Sequence, residues 1–331
     1  MAGDFGTVFM PEMMVSRFDN KWSRPEVVAC DSISLHPGAH VFNYASTCFE
    51  GLKAYKQADG GVALFRPERN VARLAQSSEL LALPAIDEQV TLGMIKDITL
   101  KYADEVPVGP SSMYIRPTHI GTEAAIGKAA APSDTSLLYV MLSPVGDYFA
   151  GGEAALRVLL DTRGARCGWD HGMVKGGGNY ASALKHIIRA QREHKADQVL
   201  FCPDGLAQET GAANFVLMEG GELITKPLDE SFLHGVTRDS ILVLARDSGL
   251  TVIERELPVE EILERASRPG AEAGLTGTAA VVAAVGTLIH DGREYRVGDG
   301  NPGPVLRGLR ESLNAIQWGQ QSDTHNWIMR L

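Results

Sequence analysis

Residues 39–67 alternate short apolar runs with turn residues. AHVFNYA (39–45), GLKAYKQ (51–57) and VALFR (62–66) read as strands, and Ala58-Asp59-Gly60-Gly61 as a hairpin turn between the last two. From Arg69 to Leu83 the period changes, and Val71, Leu74, Leu80 and Leu81 suit one face of an amphipathic helix. A second helix is predicted from Leu92 to Glu105, then strands over Ser112–Pro117 and Ser136–Leu142. Pro144 to Glu153, with Gly146, Gly151 and Gly152, reads as a connector. Beyond it, Ala155–Leu160 is a predicted strand, and Tyr180–Lys195 a helix with Ala183, Ile187, Ile188 and Ala190 on its apolar side. Strands are expected at Val199–Pro203, Asn214–Met218, Glu222–Thr225, Val252–Arg255 and Ala280–Val285. Helices are expected at Thr237–Gly249 and Val305–Trp318. The order is α+β, without the regular β-α alternation of a doubly wound parallel sheet. It divides into a small domain over 1–148, a connector over 149–154 and a large domain over 155–331.

Composition narrows the function classes. The 331 residues carry a net charge of −10 and no Lys/Arg-rich run, so neither nucleic acid nor an anionic membrane is an expected partner. No apolar stretch reaches the roughly 18 residues that a membrane-spanning helix requires. MAGDFGTVFMPEMM has no basic region followed by an apolar block, so no secretory signal is expected. Cys30, Cys48, Cys167 and Cys202 lie far apart with no CxxC pair. They read as reduced thiols of a cytoplasmic protein, and not as a zinc site or a disulfide framework.

Five short segments carry candidate chemistry. Met173-Val174-Lys175-Gly176-Gly177-Gly178 sets a lysine before three glycines at a helix start. A lysine desolvated on such a turn becomes a nucleophile towards carbonyls; a solvated lysine on a flexible loop is the simpler reading of this fragment alone. Gln208-Glu209-Thr210-Gly211 puts a carboxylate in a small-residue turn that a flat ligand could approach, or a solvated glutamate at the surface. Leu233-His234-Gly235-Val236-Thr237 opens a helix, where backbone N–H groups and a hydroxyl make either an anion site or an ordinary cap. Leu275-Thr276-Gly277-Thr278-Ala279 is a second hydroxyl-bearing turn. Phe65-Arg66-Pro67 places an arginine at a strand end, suited to phosphate or to a surface ion pair.

Each signal is weak by itself; their order and spacing are not. FNYASTCFEGLKAY, VALFRPERNVARLAQSSELLALP, MYIRPTHIG, SPVGDYF, VKGGGNYASAL, QETGAANFVL, LHGVTRDSIL, LTGTAA and the terminal GNPGP resemble the branched-chain amino-acid aminotransferase family of fold-type IV pyridoxal-phosphate enzymes. The resemblance covers nearly the whole chain. It implies a cytoplasmic homodimer that uses pyridoxal 5'-phosphate to transaminate leucine, isoleucine and valine with 2-oxoglutarate. It makes Lys175 the lysine that bonds to the cofactor and moves a proton at the substrate Cα. Tyr180 would donate to the cofactor's phenolic oxygen and Glu209 would pair with its pyridine nitrogen. Arg66, Val236, Thr237 and Thr278 would hold the phosphate, and Leu233 would pack on the ring. Tyr44, Phe49 and Tyr148 would line the side-chain pocket, with Tyr114, Arg116 and the Thr278-Ala279 turn receiving substrate carboxylates.

The chain departs from the family pattern at Asn43, where a histidine is usual, at Ala212, and at Val281 to Val285, where a proline is usual. These leave the preferred amino acid open. Another fold-type IV enzyme, an aminotransferase for an unusual or D-amino acid or an aminodeoxychorismate lyase, and an inactive binding scaffold are the rival readings. Three further groups read as structural: the Trp169-Asp170-His171 loop, His186 within a helix, and the acidic helix start at Pro258–Glu264, which is no metal site.

Overall fold

A computed structural model describes residues 5–149 and 154–331. The chain forms two compact units. The first comprises Met1–Asp147, Val174–Gly178 and Ile316–Leu331; the second comprises Tyr148–Met173 and Asn179–Ala315.

The first unit is an antiparallel sheet with helices on it. Its elements are β1 (Glu12–Asp19), β2 (Lys21–Trp22), β3 (Glu26–Ala29), α1 (His40–Tyr44), β4 (Thr47–Phe49), β5 (Leu52–Lys56), β6 (Val62–Phe65), α2 (Pro67–Leu80), α3 (Glu88–Lys101), β7 (Ser112–Gly121) and β8 (Thr135–Val145). The C-terminal strand belongs here too and joins the edge at β6, giving the order C-terminal strand–β6–β5–β7–β8–β1–β2, with β3 on β1 and β4 on β7. Leu64, Leu74, Met94, Ile95, Ile98, Ile115 and Leu142, all buried, form its core. The predicted helices over 69–83 and 92–105 correspond to α2 and α3. Asp87 caps α3 by accepting from the N–H groups of Gln89 and Val90.

The expected strand at AHVFNYA is instead helix α1. The reason is local: Asn43 Nδ2 donates to Pro37 O and Ala39 O, closing a turn that competes with a ladder, and Ala45 ends the helix at φ 52. Strand β1 carries no clear alternation because Met13, Met14, Val15 and Ser16 are all buried in succession.

The second unit holds β9 (Leu156–Asp161), α4 (Gly177–His194), β10 (Gln198–Phe201), β11 (Asn214–Glu219), β12 (Glu222–Thr225), α5 (Val236–Asp247), β13 (Thr251–Glu254), α6 (Val259–Ala266), β14 (Glu272–Gly277), β15 (Val281–His290), β16 (Arg293–Arg296) and α7 (Pro304–Gln317). The remaining strand, β17 (Ile328–Arg330), is the C-terminal strand of the first unit. The sheet order is β10–β9–β15–β14–β11–β12–β13, with β16 on β15; β10, β9 and β15 run parallel, as do β12 and β13. Central strand β14 is absent from the sequence expectation; it is built on small residues, Ala273 and Gly274, which carry little strand signal. Among the described residues no helix is long and apolar enough to cross a membrane.

The sequence division differs from the two units. Its connector, 149–154, falls mostly on 150–153, which lie outside the described residues, as do Gly151 and Gly152. It also assigns Val174–Gly178 and the C-terminus to the large domain, whereas both count with the first unit. Backbone hydrogen bonds explain this: Phe49 N donates to Lys175 O, and β17 pairs with β6.

The GNPGP segment has a structural task. Glu272 of β14, 6 % exposed, accepts the N–H groups of Val305 and Leu306 and so caps α7 from outside the helix. Gly303 is required there, because a Cβ would lie 2.0 Å from the Glu272 carboxyl carbon. We expect Glu272→Ala to cost about 1–3 kcal/mol by leaving buried donors unpaired. A urea midpoint equal to that of the parent would remove the cap from the account.

Candidate active site

In the first unit, the lysine turn behaves as a short extra strand on β4. Phe49 N donates to Lys175 O at 3.0 Å, Cys48 bridges Gly176, and Lys175 N donates to Ser77 Oγ of α2 at 3.1 Å. The turn is thus tied on both sides, and Val174 beside it is fully buried. Lys175 Nζ stands 5.1 Å from the centre of the Phe49 ring. Arg116 Cζ lies over the same ring at 4.6 Å, and its Nη2 donates to Tyr114 Oη at 3.0 Å. Four of the expected residues, Lys175, Phe49, Arg116 and Tyr114, therefore share one cluster. Arg116 Nε is buried with no hydrogen-bond partner, a donor that a bound carboxylate would satisfy. Lys53 is the cross-strand partner of Tyr114; burial pushes its ammonium down to about 8, against the opposing charge of Asp147.

Beneath this cluster lies Glu50, fully buried. Arg73 Nε donates to it at 2.6 Å and Asn70 Nδ2 at 2.7 Å. Burial pushes the Glu50 carboxyl up, but the charge and hydrogen bonds of Arg73, the charge of Lys175 and the Asn70 bond outweigh it and hold the group below the ordinary carboxylate range. Behind β4, Cys48 Sγ, Ser78 Oγ, His119 and Ser136 Oγ form a buried hydrogen-bond chain. Arg66 precedes α2 in the left-handed region, φ 47 and ψ 45, and its guanidinium lies 5.1 Å from the Trp327 ring centre. Tyr44 turns elsewhere: its hydroxyl donates to Ile126 O and its ring tilts on His40.

In the second unit, Glu209 is 2 % exposed and forms an ion pair with Arg166 at 2.7 Å. Arg166, 1 % exposed, also lies over the Tyr180 ring at 5.4 Å and donates to Gly172 O. Leu233 N donates to the same carboxylate, at Glu209 Oε1. Asn214 gathers three of the motifs. Its Nδ2 donates to Leu233 O at 2.8 Å and to Glu209 Oε2 at 3.3 Å, and its backbone pairs with Thr276 in the β11–β14 register. Asn214 Oδ1 fills the space where a Gly235 Cβ would be, 2.1 Å away, so only glycine fits before α5. That glycine supplies no side-chain cap, so Val236 and Thr237 open the helix with amides available to an anion. Thr278 and Ala279 form the turn between β14 and β15, with Gly277 beside Ala212 O. Tyr148 is 54 % exposed and sits edge-on to Phe149.

Arg166, Asn214, Ser77 and Glu50 are functional neighbours that the sequence reading misses. Asn214, Glu50 and Ser77 lie inside the family motifs, but their side-chain directions are set by the fold; Arg166 stands among glycine and polar residues with no periodic signal. The groups read as structural have these partners. His171 O accepts from Asn179, His186 pairs with Asp161, and Glu261 pairs with Arg255 and Arg265.

Two outcomes test these networks. Breaking the buried Arg166–Glu209 pair from either side should cost about 3–5 kcal/mol, because one charge is left uncompensated. Arg166→Met combined with Glu209→Gln should recover at least half of that in urea unfolding; losses that simply add would show that the two groups are not coupled. The second concerns pH. Burial pushes His119 down to about 4, below its unfolded value of about 6.5. Its contribution to stability is therefore complete above pH 6.5 or so and is lost as pH falls towards 4, at up to about 1.4 kcal/mol per pH unit. His119→Asn should flatten that part of the stability profile, and an unchanged slope would assign it to other groups.

A family model, amino-transferase class IV, matches residues 47–286. Branched-chain-amino-acid aminotransferase 2 of Bacillus subtilis is 37 % identical over 339 residues, covering 98 % of this chain and 90 % of that protein. The branched-chain-amino-acid aminotransferase of Mycobacterium tuberculosis is 38 % identical over 323 residues, covering 94 % and 86 %. Among solved structures, the branched-chain amino acid aminotransferase from Thermobaculum terrenum, in its PLP form, superposes with a TM-score of 0.77 at 21 % identity, covering 97 % and 98 % of the two chains. The Escherichia coli enzyme gives 0.76 at 23 %, covering 95 % and 98 %. The fold is thus fold-type IV, and the chain belongs to the branched-chain-amino-acid aminotransferase family within the class IV aminotransferases.

Proposed function

We propose that this protein is a pyridoxal-phosphate-dependent transaminase that moves the amino group between L-leucine, L-isoleucine or L-valine and 2-oxoglutarate. The observation that carries the substrate reading is Arg116. Its guanidinium lies over the apolar Phe49 ring beside Tyr114 Oη, with Nε unpartnered, so one patch offers both apolar surface and a carboxylate donor. An aliphatic side chain can use the ring, and the distal carboxylate of glutamate the arginine.

The residues present fit the cofactor. Glu209, its charge balanced by Arg166, suits a protonated pyridine nitrogen, and Leu233 is held against that carboxylate. The uncapped start of α5 at Val236 and Thr237, with the Thr278 turn, suits the phosphate; Arg66 is read as a further phosphate ligand from the family resemblance. Tyr180, under Arg166, would donate its phenol to the cofactor's ring oxygen. Pyridoxal phosphate, when bound, supplies the electron sink that makes the Cα–H of an amino acid acidic.

Lys175 Nζ would hold the cofactor and, as a free amine, would take and return the proton at substrate Cα. Its backbone is fixed by Phe49 and Ser77, which limits where the amine can reach. Tyr114 and Arg116 would receive a substrate carboxylate, with the ring of Phe49 as the side-chain wall; the parts given to Tyr44, Tyr148 and the Thr278-Ala279 turn rest on the family resemblance alone. A homodimer fits the exposed Phe42 and Ile126 near Tyr44, which a second copy would cover. The free state of all four cysteines fits a cytoplasmic location.

Borohydride reduction of the holoenzyme should label Lys175, and Lys175→Ala should abolish turnover. Arg116→Ala should lower the glutamate half-reaction about 10- to 150-fold in kcat/KM while leaving leucine within about 3-fold. An equal loss with both substrates would make Arg116 structural. A parent enzyme that ignores leucine, isoleucine and valine would defeat the branched-chain reading itself.

A further inference from the structure

The last nine residues of the chain, Asp323 to Leu331, reach back to Arg66. Strand β17 pairs antiparallel with β6, placing Ile328 opposite Phe65. Just before it, Trp327 meets Arg66 twice. Its carbonyl accepts Arg66 N–H at 2.8 Å, and its indole lies under the guanidinium at 5.1 Å. His325 stacks on the same indole at 4.5 Å with 25° between planes, and Phe65 meets it edge-on at 5.7 Å. Asp323 closes the turn that presents the indole, accepting N–H groups of His325 at 3.1 Å and Ile328 at 2.8 Å. Trp327 is 8 % exposed.

Arg66 needs such support. It holds a left-handed conformation, φ 47 and ψ 45, immediately before Pro67. Non-glycine residues are rare there, and a residue preceding proline is further restricted; such a conformation persists only where neighbours over-determine it. The carbonyl of Trp327 fixes the backbone of Arg66, and the indole face attracts its cation and limits its rotamers.

We propose that Trp327, backed by His325, is a positioning residue for Arg66, so that the C-terminal segment from Asp323 to Ile328 sets the affinity for the cofactor's phosphate. This rests on the reading of Arg66 as a phosphate ligand. The C-terminus thereby acts on the phosphate end of the cofactor and not on its reacting carbon.

The test compares two probes on the full-length protein, stripped of cofactor and refilled: pyridoxal phosphate, and pyridoxal, which lacks the phosphate. Trp327→Leu removes the indole and keeps the backbone carbonyl. It should weaken pyridoxal phosphate about 10- to 100-fold, as loss of a charge-assisted contact does, and pyridoxal less than about 3-fold. Arg66→Ala should do the same, and the double variant should be no weaker than Arg66→Ala alone. Trp327→Phe should restore affinity to within about 5-fold of the parent, and His325→Ala should lose about 3-fold, both as expected of a partly kept aromatic face. At saturating pyridoxal phosphate, kcat for leucine should stay within about 2-fold in the Trp327 variants, because a phosphate-end contact leaves the chemical step alone. Equal weakening of both probes, or losses that add to those of Arg66→Ala, would overturn the proposal and make Trp327 a plain core residue. If Arg66→Ala leaves pyridoxal phosphate affinity unchanged, the phosphate role of Arg66 fails, and the proposal with it.

Discussion

The backbone pairing between Cys48-Phe49 and Lys175-Gly176 anchors the site. One hydrogen bond from Phe49 N to Lys175 O, and one from Lys175 N to Ser77 Oγ, draw the lysine turn onto β4 and α2. The flanking segments on both sides belong to the other compact unit. The lysine is therefore carried by the antiparallel sheet that also carries Phe49, Tyr114 and Arg116, and its amine shares the Phe49 ring with a guanidinium. The buried Glu50, held ionised chiefly by Arg73, also feels the charge of Lys175.

The second unit solves a different problem by similar means. Glu209 is a carboxylate held in the interior of the unit. Burial alone would neutralise it. Arg166 supplies the opposite charge and the Leu233 amide adds a hydrogen bond, so Glu209 is fixed without access to water. Asn214 then locks three loops together through one residue, which is why the Gly235 position tolerates no Cβ. Loops of small residues become precise because a strand residue holds them.

Much of the element order is legible along the chain because it rests on periodicity. Helices α2, α3, α4, α5 and α7, and strands β5 to β12, all carry apolar spacing or turn residues that locate them to within a few residues. Among the elements that escape, β1 is buried on successive positions, β14 is made of small residues, β2, β4 and β17 are two or three residues long, and α1 replaces a strand because Asn43 satisfies the backbone locally.

The order of motifs along the chain, through its resemblance to one family, points to the chemistry: a lysine before glycines, a glutamate in a tight turn and a helix start rich in small residues are each ambiguous alone. These properties need no coordinates. The partners of those residues emerge only once the chain is folded. Arg166 lies 43 positions from Glu209 (209 − 166), and Trp327 lies 261 positions from Arg66 (327 − 66). Nothing in local spacing links such pairs, because burial of a charge is offset by whichever residue the fold brings within a few ångströms, and that is set by sheet register and loop closure.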